Sequence, residues 1–382
     1  MLKLRTPYPR FVNAKEIIHG VNSIKALRGL QAVKVALIIG LSLSKKEELL
    51  KKITSSINCH QLHVIIRSWE DEPTLSSLQP VLDELIPFQP DCIIAIGGGS
   101  VIDGVKLVWA FYEHPGLSDS VLSRAFALPK LRGKARFCAI PTTAGTGSEV
   151  SSSAVFFDPE KRKKVPVVTH DFLPDLVILD PNLLVGIPRN ILLSTVIDAL
   201  SHAIEGYVSK LNNPLMDRFS ELAISSISNH ILKAIDFRNE EILAELQYAA
   251  MLAGWVQNHC VVGVSHALAH QMGSFKVPHG VANAIFLPLS IRFNSQDNDT
   301  KQRYALLAKN SGIGDSFYDL EQLIIRISQF GSFSLKLSDY GFTEEYTKDL
   351  LLLQNALDDP GARFNPVSLD HEKLTNLLEN AL

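Results

Sequence analysis

Cysteine is scarce: four in 382 residues, at positions 59, 92, 138 and 260, with no CxxC spacing among them. That excludes a disulfide-built scaffold and a cysteine metal knuckle. Three of the four lie in apolar surroundings and are expected as reduced core residues. There is no excess of one charge. The 37 basic residues against 40 acidic ones leave −3, which offers neither a nucleic-acid surface nor a membrane surface. The one short basic cluster, KRKK at 161–164, follows Asp158 and Glu160 and reads as a solvated turn. No apolar run reaches the ~18 residues of a membrane span. The N-terminal MLKLRTPYPRF lacks a signal-peptide pattern, so the cytoplasm is the expected compartment. Internal repeats and low-complexity segments are also missing.

What is present is an ordinary globular composition, 46% hydrophobic, at a length for which two domains are expected. The first part alternates buried-strand runs with amphipathic stretches. VALIIG (35–40), LHVII (62–66) and DCIIAIG (91–97) read as strands. Between and after them, 45–57, 75–86 (interrupted at Pro80) and the stretch from Ser100 read as helices. RFCAI (136–140), SAVFF (153–157) and LVILD (176–180) are further strand candidates, and 112–135 reads as a surface excursion. Such alternation predicts a parallel sheet flanked by helices. From about residue 188 the periodicity is almost wholly helical, which places a boundary near 182.

Two small-residue loops follow strands in the first part. Gly97-Gly98-Gly99-Ser100 lies between a strand and a helix, where backbone N–H groups and the helix dipole favour a phosphate. It is not GxGxxG, and it follows the third strand, which disfavours an ordinary Rossmann fold. PTTAGTGSEV (141–150) offers hydroxyls at Thr142, Thr143, Thr146 and Ser148.

The second part carries a constellation of metal-binding residue types. Asp198 and His202 in DALSH stand at i, i+4 on one helix face. His266 and His270 in VSHALAH repeat that spacing, and His279 follows in KVPHG. One carboxylate with three imidazoles suits Fe²⁺ or Zn²⁺ better than Ca²⁺ or Mg²⁺. Spacing alone does not separate His270 from a ligand. His60, His63, His114, His170, His230 and His259 read as hydrogen-bonded core residues.

Taken together, GGGSVIDGVK, IPTTAGTGSEV, the span from KKVPVV to LPDLVILDP, IDALSHAIEGYVS and GVSHALAHQMGSFKVPHGVANAIFLP resemble the iron-containing (group III) alcohol dehydrogenases, of dehydroquinate-synthase-like fold. NPV at 365–367 is similar to that family's late NPR signal. The resemblance implies an α/β dinucleotide-binding domain over 1–182 and an all-α metal-binding, catalytic domain over 183–382. It implies metal ligands Asp198, His202, His266 and His279, with His270 unligated as a proton relay. Gly98, Gly99 and Ser100 would hold the pyrophosphate. Thr142, Thr143 and Thr146 would line the nucleotide, Lys164 would reach toward its ribose, and Leu183 would touch the adenosine side. The implied reaction is metal-dependent hydride transfer between NAD(P)(H) and a small alcohol or aldehyde, in a homodimer. Rival readings are a lyase or cyclase of the dehydroquinate synthase type, using NAD transiently, and a catalytically silent binding relative.

Three departures from the family pattern stand out. Val196-Ile197 replaces a common threonine-glycine, and the loop before His279 is one residue shorter than in several relatives. The first strand runs into GLSLSKK, without the aspartate that binds the adenosine ribose. Ser42 with Lys45 or Lys46 there predicts a preference for NADP(H), because no carboxylate repels a 2′-phosphate.

Overall fold

The computed structural model describes residues 9–67, 69 and 72–382. Its strands are β1 (Glu16–His19), β2 (Lys34–Gly40), β3 (Gln61–Arg67), β4 (Cys92–Gly97), β5 (Arg136–Pro141), β6 (Ser153–Asp158), β7 (Lys163–Val168) and β8 (Leu176–Leu179). Six of them form one parallel sheet in the order β1-β8-β5-β4-β2-β3. β4 is buried on both faces, as the middle of a covered parallel sheet should be. After β3 the chain returns to the opposite side of β2, so the direction of winding reverses between β2 and β4. In open α/β sheets that crevice is where ligands bind. Registration sets Gly97 opposite Pro141 and Ile39 opposite Ile96. The loops leaving β2, β4 and β5 therefore stand side by side at one edge.

Alternate residues of these strands face two apolar layers. Ala36, Ile38, Ile93 and Ala95 pack against the helices Leu75–Phe88 and Gly99–Glu113. Val35, Leu37, Ile94 and Ile96 belong to a core that continues through Leu192, Leu200, Ile224 and Leu246 into the helical part. One apolar core thus crosses the boundary near residue 182. At its centre lies the helix Arg189–Val208. By length and composition it could cross a membrane, a pattern the sequence reading passed over, but it is almost wholly buried in the protein.

Several local expectations are corrected. Pro80 does not interrupt its helix, which runs unbroken over Leu75–Phe88 behind a Thr74–Ser77 capping box. SAVFF joins no parallel sheet; as β6 it pairs antiparallel with β7. The basic cluster is only half turn, since Lys163 and Lys164 lie in β7 and Lys164 is buried. The helix expected at 45–57 is shorter, Glu47–Thr54, and a separate one-turn helix, Leu41–Ser44, precedes it. The excursion at 112–135 holds a short helix, Asp119–Leu122, and buries Leu122, Leu128 and Leu131. None of the six histidines expected in the core lies there; all are exposed or half-buried. The cysteines agree with expectation, with Cys92, Cys138 and Cys260 buried and every thiol free.

Candidate metal centre and nucleotide cleft

The helix Arg189–Val208 presents Asp198, His202 and, one further turn on, Glu205 from one side; all three are buried. His266 comes from the helix Val264–Ala269, His270 opens the 3-10 segment His270–Phe275, and His279 opens the helix His279–Asn294. The ligating atoms of Asp198, His202 and His266 lie within 4.8 Å of one another. The Nε2 atoms of His202, His266 and His279 stand 3.8, 3.5 and 3.4 Å from a single atom, Asp198 Oδ1. These contacts are long for hydrogen bonds. They match the ~3.4 Å edge of a tetrahedron whose arms are ~2.1 Å, the reach of nitrogen and oxygen to Zn²⁺. The donor set and its spacing therefore fit a transition-metal ion. His279 and His270 are half-buried, whereas Asp198, His202 and His266 are enclosed, so among the described residues the centre opens on the side of His279 and His270.

Charges in this cluster are arranged by burial and by each other. Burial alone would raise the Asp198 carboxyl, but His202, His279 and His266 hold it far below the usual range. Burial pushes His202 down to about 4 against the pull of Asp198. Burial and Lys164 push His279 well below its ordinary value. Neutral imidazoles of this kind present the lone pair that a metal requires. His266 differs: burial opposes its protonation, but Asp198 and Glu205 outweigh that and raise it to about 9.

Contacts behind the donors fix their orientation. Glu205 Oε2 accepts from His266 Nδ1 at 2.5 Å. The Gly145 carbonyl lies close enough to the His202 ring to favour its protonated form, though Nδ1 itself has no hydrogen-bond partner. The fully buried Asn283 donates through Nδ2 to Asp198 Oδ1 at 2.9 Å and accepts from Ser265 Oγ at 3.1 Å. Asn365, the first residue of NPV, accepts from the Val264 amide at 3.2 Å and exchanges hydrogen bonds with Asn294.

The two small-residue loops, read separately in the sequence, touch. The Thr142 amide donates to Gly97 O at 2.9 Å. A Cβ on Gly99 would stand 2.5 Å from the Thr146 methyl, and one on Gly98 would stand 3.4 Å from Thr143. Gly145 meets the Thr195 backbone, where a Cβ would be 2.6 Å from its carbonyl oxygen. The second of these loops therefore rests on the helix that carries Asp198 and His202. Ser100 sits in the first turn of the helix Gly99–Glu113, but its hydroxyl is engaged, donating to Trp69 O at 2.8 Å. Only its backbone N–H is left for a phosphate. Ser42 is exposed in the turn after β2, and the Lys46 ammonium reaches the backbone at Gly186. Lys164 pairs with Glu72. Leu183 is buried in the shared core, in the turn Pro181–Leu184.

Four supporting residues were missed in the sequence. Glu205 had a signal, because DALSHAIE sets chemistry-bearing residues at i, i+4 and i+7 on one face. Asn283, four residues after His279, had the same kind of signal. Asp359 had none: its Oδ2 accepts from His270 Nδ1 at 2.7 Å across 89 residues of chain. Lys106 lay in the quoted GGGSVIDGVK. It is fully buried and donates to Ser148 O at 2.7 Å, Ser151 O at 2.9 Å and Ser153 O at 2.8 Å, clamping the end of the second loop.

A family profile described as iron-containing alcohol dehydrogenase matches residues 14–181, and its C-terminal counterpart matches residues 192–382. Over 379 residues the chain is 32% identical to the NADPH-dependent butanol dehydrogenase of Clostridium saccharobutylicum, covering 97% of each chain. It is 31% identical over 323 residues to the 1-propanol dehydrogenase of Salmonella typhimurium, covering 81% of this chain and 83% of that one. The crystal structure of a 1,3-propanediol oxidoreductase superposes with a TM-score of 0.87 at 28% identity, covering 98% of this chain and 100% of that one. That of an iron-containing alcohol dehydrogenase from Thermococcus thioreducens gives 0.85 at 28% identity, covering 97% and 99%.

Proposed function

The chain belongs to the iron-containing alcohol dehydrogenase family, and from that membership we propose that Asp198, His202, His266 and His279 hold its metal while His270 relays the proton. The protein is an NAD(P)-dependent oxidoreductase acting on CH–OH groups, interconverting alcohols and aldehydes. The observation that carries the ligand assignment is the convergence of three Nε2 atoms on one oxygen of Asp198 at 3.4–3.8 Å. With both halves of the chain matched to this family, the lyase or cyclase reading loses its support, and net production of reduced cofactor from a simple alcohol separates the silent-relative reading.

When bound, the metal supplies Lewis acidity toward the substrate oxygen and the nicotinamide exchanges the hydride. The chain's own residues do the rest. His279 and His270 form the open wall by which substrate enters. His270 Nε2, free because Nδ1 is tied to Asp359, takes the hydroxyl proton during oxidation and returns it during reduction. Gly98, Gly99 and the Ser100 amide receive the pyrophosphate at a helix N-terminus. Thr142, Thr143 and Thr146 border the same crevice, with Leu183 on its adenosine side and Lys164 toward the ribose.

Fe²⁺ is the resident ion of this reading, with Zn²⁺ as the alternative that the same donors accept. NADP(H) is preferred over NAD(H), supported by the acid-free turn at Ser42 and by the NADPH dependence named for the Clostridium relative. The substrate is a small alcohol or aldehyde, the compartment the cytoplasm and the assembly a homodimer. A screen of short alcohols, diols and aldehydes with each cofactor tests the whole. Turnover of none of them by the metal-loaded protein overturns it.

A further inference from the structure

We propose that Asp359 is a positioning residue that fixes the tautomer of His270, so that Nε2 faces the cleft as a proton acceptor rather than turning to the metal. The inference rests on the ligand assignment above.

His266 and His270 stand at i, i+4, the spacing by which a helix places two imidazoles on one ion. Yet only His266 reaches Asp198 Oδ1. The backbone changes at His270 itself, from the α-helix Val264–Ala269 to the 3-10 segment His270–Phe275. The ring is then held on two sides. It stacks on His279 with centroids 5.3 Å apart and planes 12° from parallel. Its Nδ1 lies 2.7 Å from Asp359 Oδ2.

Asp359 is itself held. Its side chain is buried, its Oδ1 accepts from the Gly361 amide at 2.7 Å, and it caps the turn Pro360–Phe364. A carboxylate can only accept. His270 Nδ1 must therefore carry the hydrogen, which leaves the lone pair on Nε2 of a half-buried ring. Gly361 makes the approach possible, because its backbone runs against Gly263, where a Cβ would lie 2.4 Å from the carbonyl oxygen. Through that contact the segment carrying Asp359 is seated against the turn that leads into His266.

The test uses zinc-loaded full-length protein labelled with ¹⁵N-histidine. His270 signals are identified by their loss in His270→Ala, and imidazole nitrogen–proton correlations report which nitrogen is protonated. In the parent, Nδ1 is expected to carry the proton. In Asp359→Asn the single amide oxygen keeps the Gly361 cap and the amide N–H faces His270, so the proton moves to Nε2. Asp359→Ser also keeps a cap but has no acceptor within reach, and His270 is expected as a tautomer mixture. Both variants should lose kcat on the order of 10²-fold with an unchanged KM for cofactor. That loss should vanish in a His270→Ala background, where there is no ring left to position. Retention of Nδ1 protonation in both variants, or an equal loss of kcat without His270, overturns the proposal. Zinc content separates the two readings. One zinc in the parent, none in Asp198→Ala and an unmoved His270 tautomer would sink this inference alone. Zinc retained by Asp198→Ala would instead sink the ligand assignment beneath it.

Discussion

Glu205 grips His266 by its Nδ1 edge while its other oxygen takes the Ser265 amide at 2.7 Å. The donor and its holder are thus supplied by two different helices, and the carboxylate raises the basicity of the ring it holds. Replacing Glu205 with Gln should weaken metal affinity about 10- to 100-fold while leaving the fold in place. Competitive titration with a chelator measures this; an affinity equal to the parent's would show that the contact does not tune the centre.

Asp198→Ala and His266→Ala should each remove most of the bound metal and the activity. Circular dichroism should stay close to that of the parent, since the surrounding helix is held by apolar packing on all sides. Elemental analysis of purified protein is the check. Full occupancy with normal turnover in both variants would refute the assignment.

Ser42→Asp should turn the cofactor preference toward NAD(H). A carboxylate in the turn after β2 repels a 2′-phosphate and accepts from ribose hydroxyls. A change on the order of 10-fold in the ratio of kcat/KM values corresponds to about 1.4 kcal/mol. The idea fails if the parent already favours NAD(H) and the substitution leaves the ratio unchanged.

Gly99→Ala would drive a methyl into Thr146. The two loops must then separate, at a cost of about 1–3 kcal/mol for overpacking. Weaker NADPH binding with unchanged metal content is expected, read by fluorescence titration. Equal loss of both would mean that the loops and the metal centre are not distinct.

Glu149 supplies a pH test. Burial raises its carboxyl to about 7 from an ordinary 4.5, against the pull of the nearby Lys106. A folded-state value above the unfolded one means the proton is bound more tightly in the native protein. The contribution is complete below pH 4.5 and is lost as pH rises through 7. Glu149→Gln should therefore melt like the parent near pH 4.5 and above it at pH 8, by up to about 3 kcal/mol. Melting curves across that range decide, and a gap that widens toward acid would contradict the burial argument.

The alternation of strand and helix was legible because each buried strand is a short apolar run bounded by turn residues. β1 escaped because EIIH is too short to carry a pattern, and β7 because its two lysines masked a strand. Of the proposed metal donors, Asp198 and His202 could be paired in the sequence because i, i+4 spacing is a property of a single helix. What distinguishes His270 from the donors was not legible. It depends on Asp359, which chain topology alone brings to it, and no local period encodes a contact between distant segments. Ser100 shows the converse: its place in the glycine-rich turn at a helix start was readable, but the capture of its hydroxyl by Trp69 was not.

Asn365 and Asp359 follow all four proposed metal donors in the chain, yet they secure the turn before His266 and the ring of His270. During synthesis on the ribosome, Asp198, His202, His266 and His279 all emerge before the segment that locks their surroundings. Residues 359–365 therefore complete the surroundings of the proposed centre only after all four proposed donors have been made.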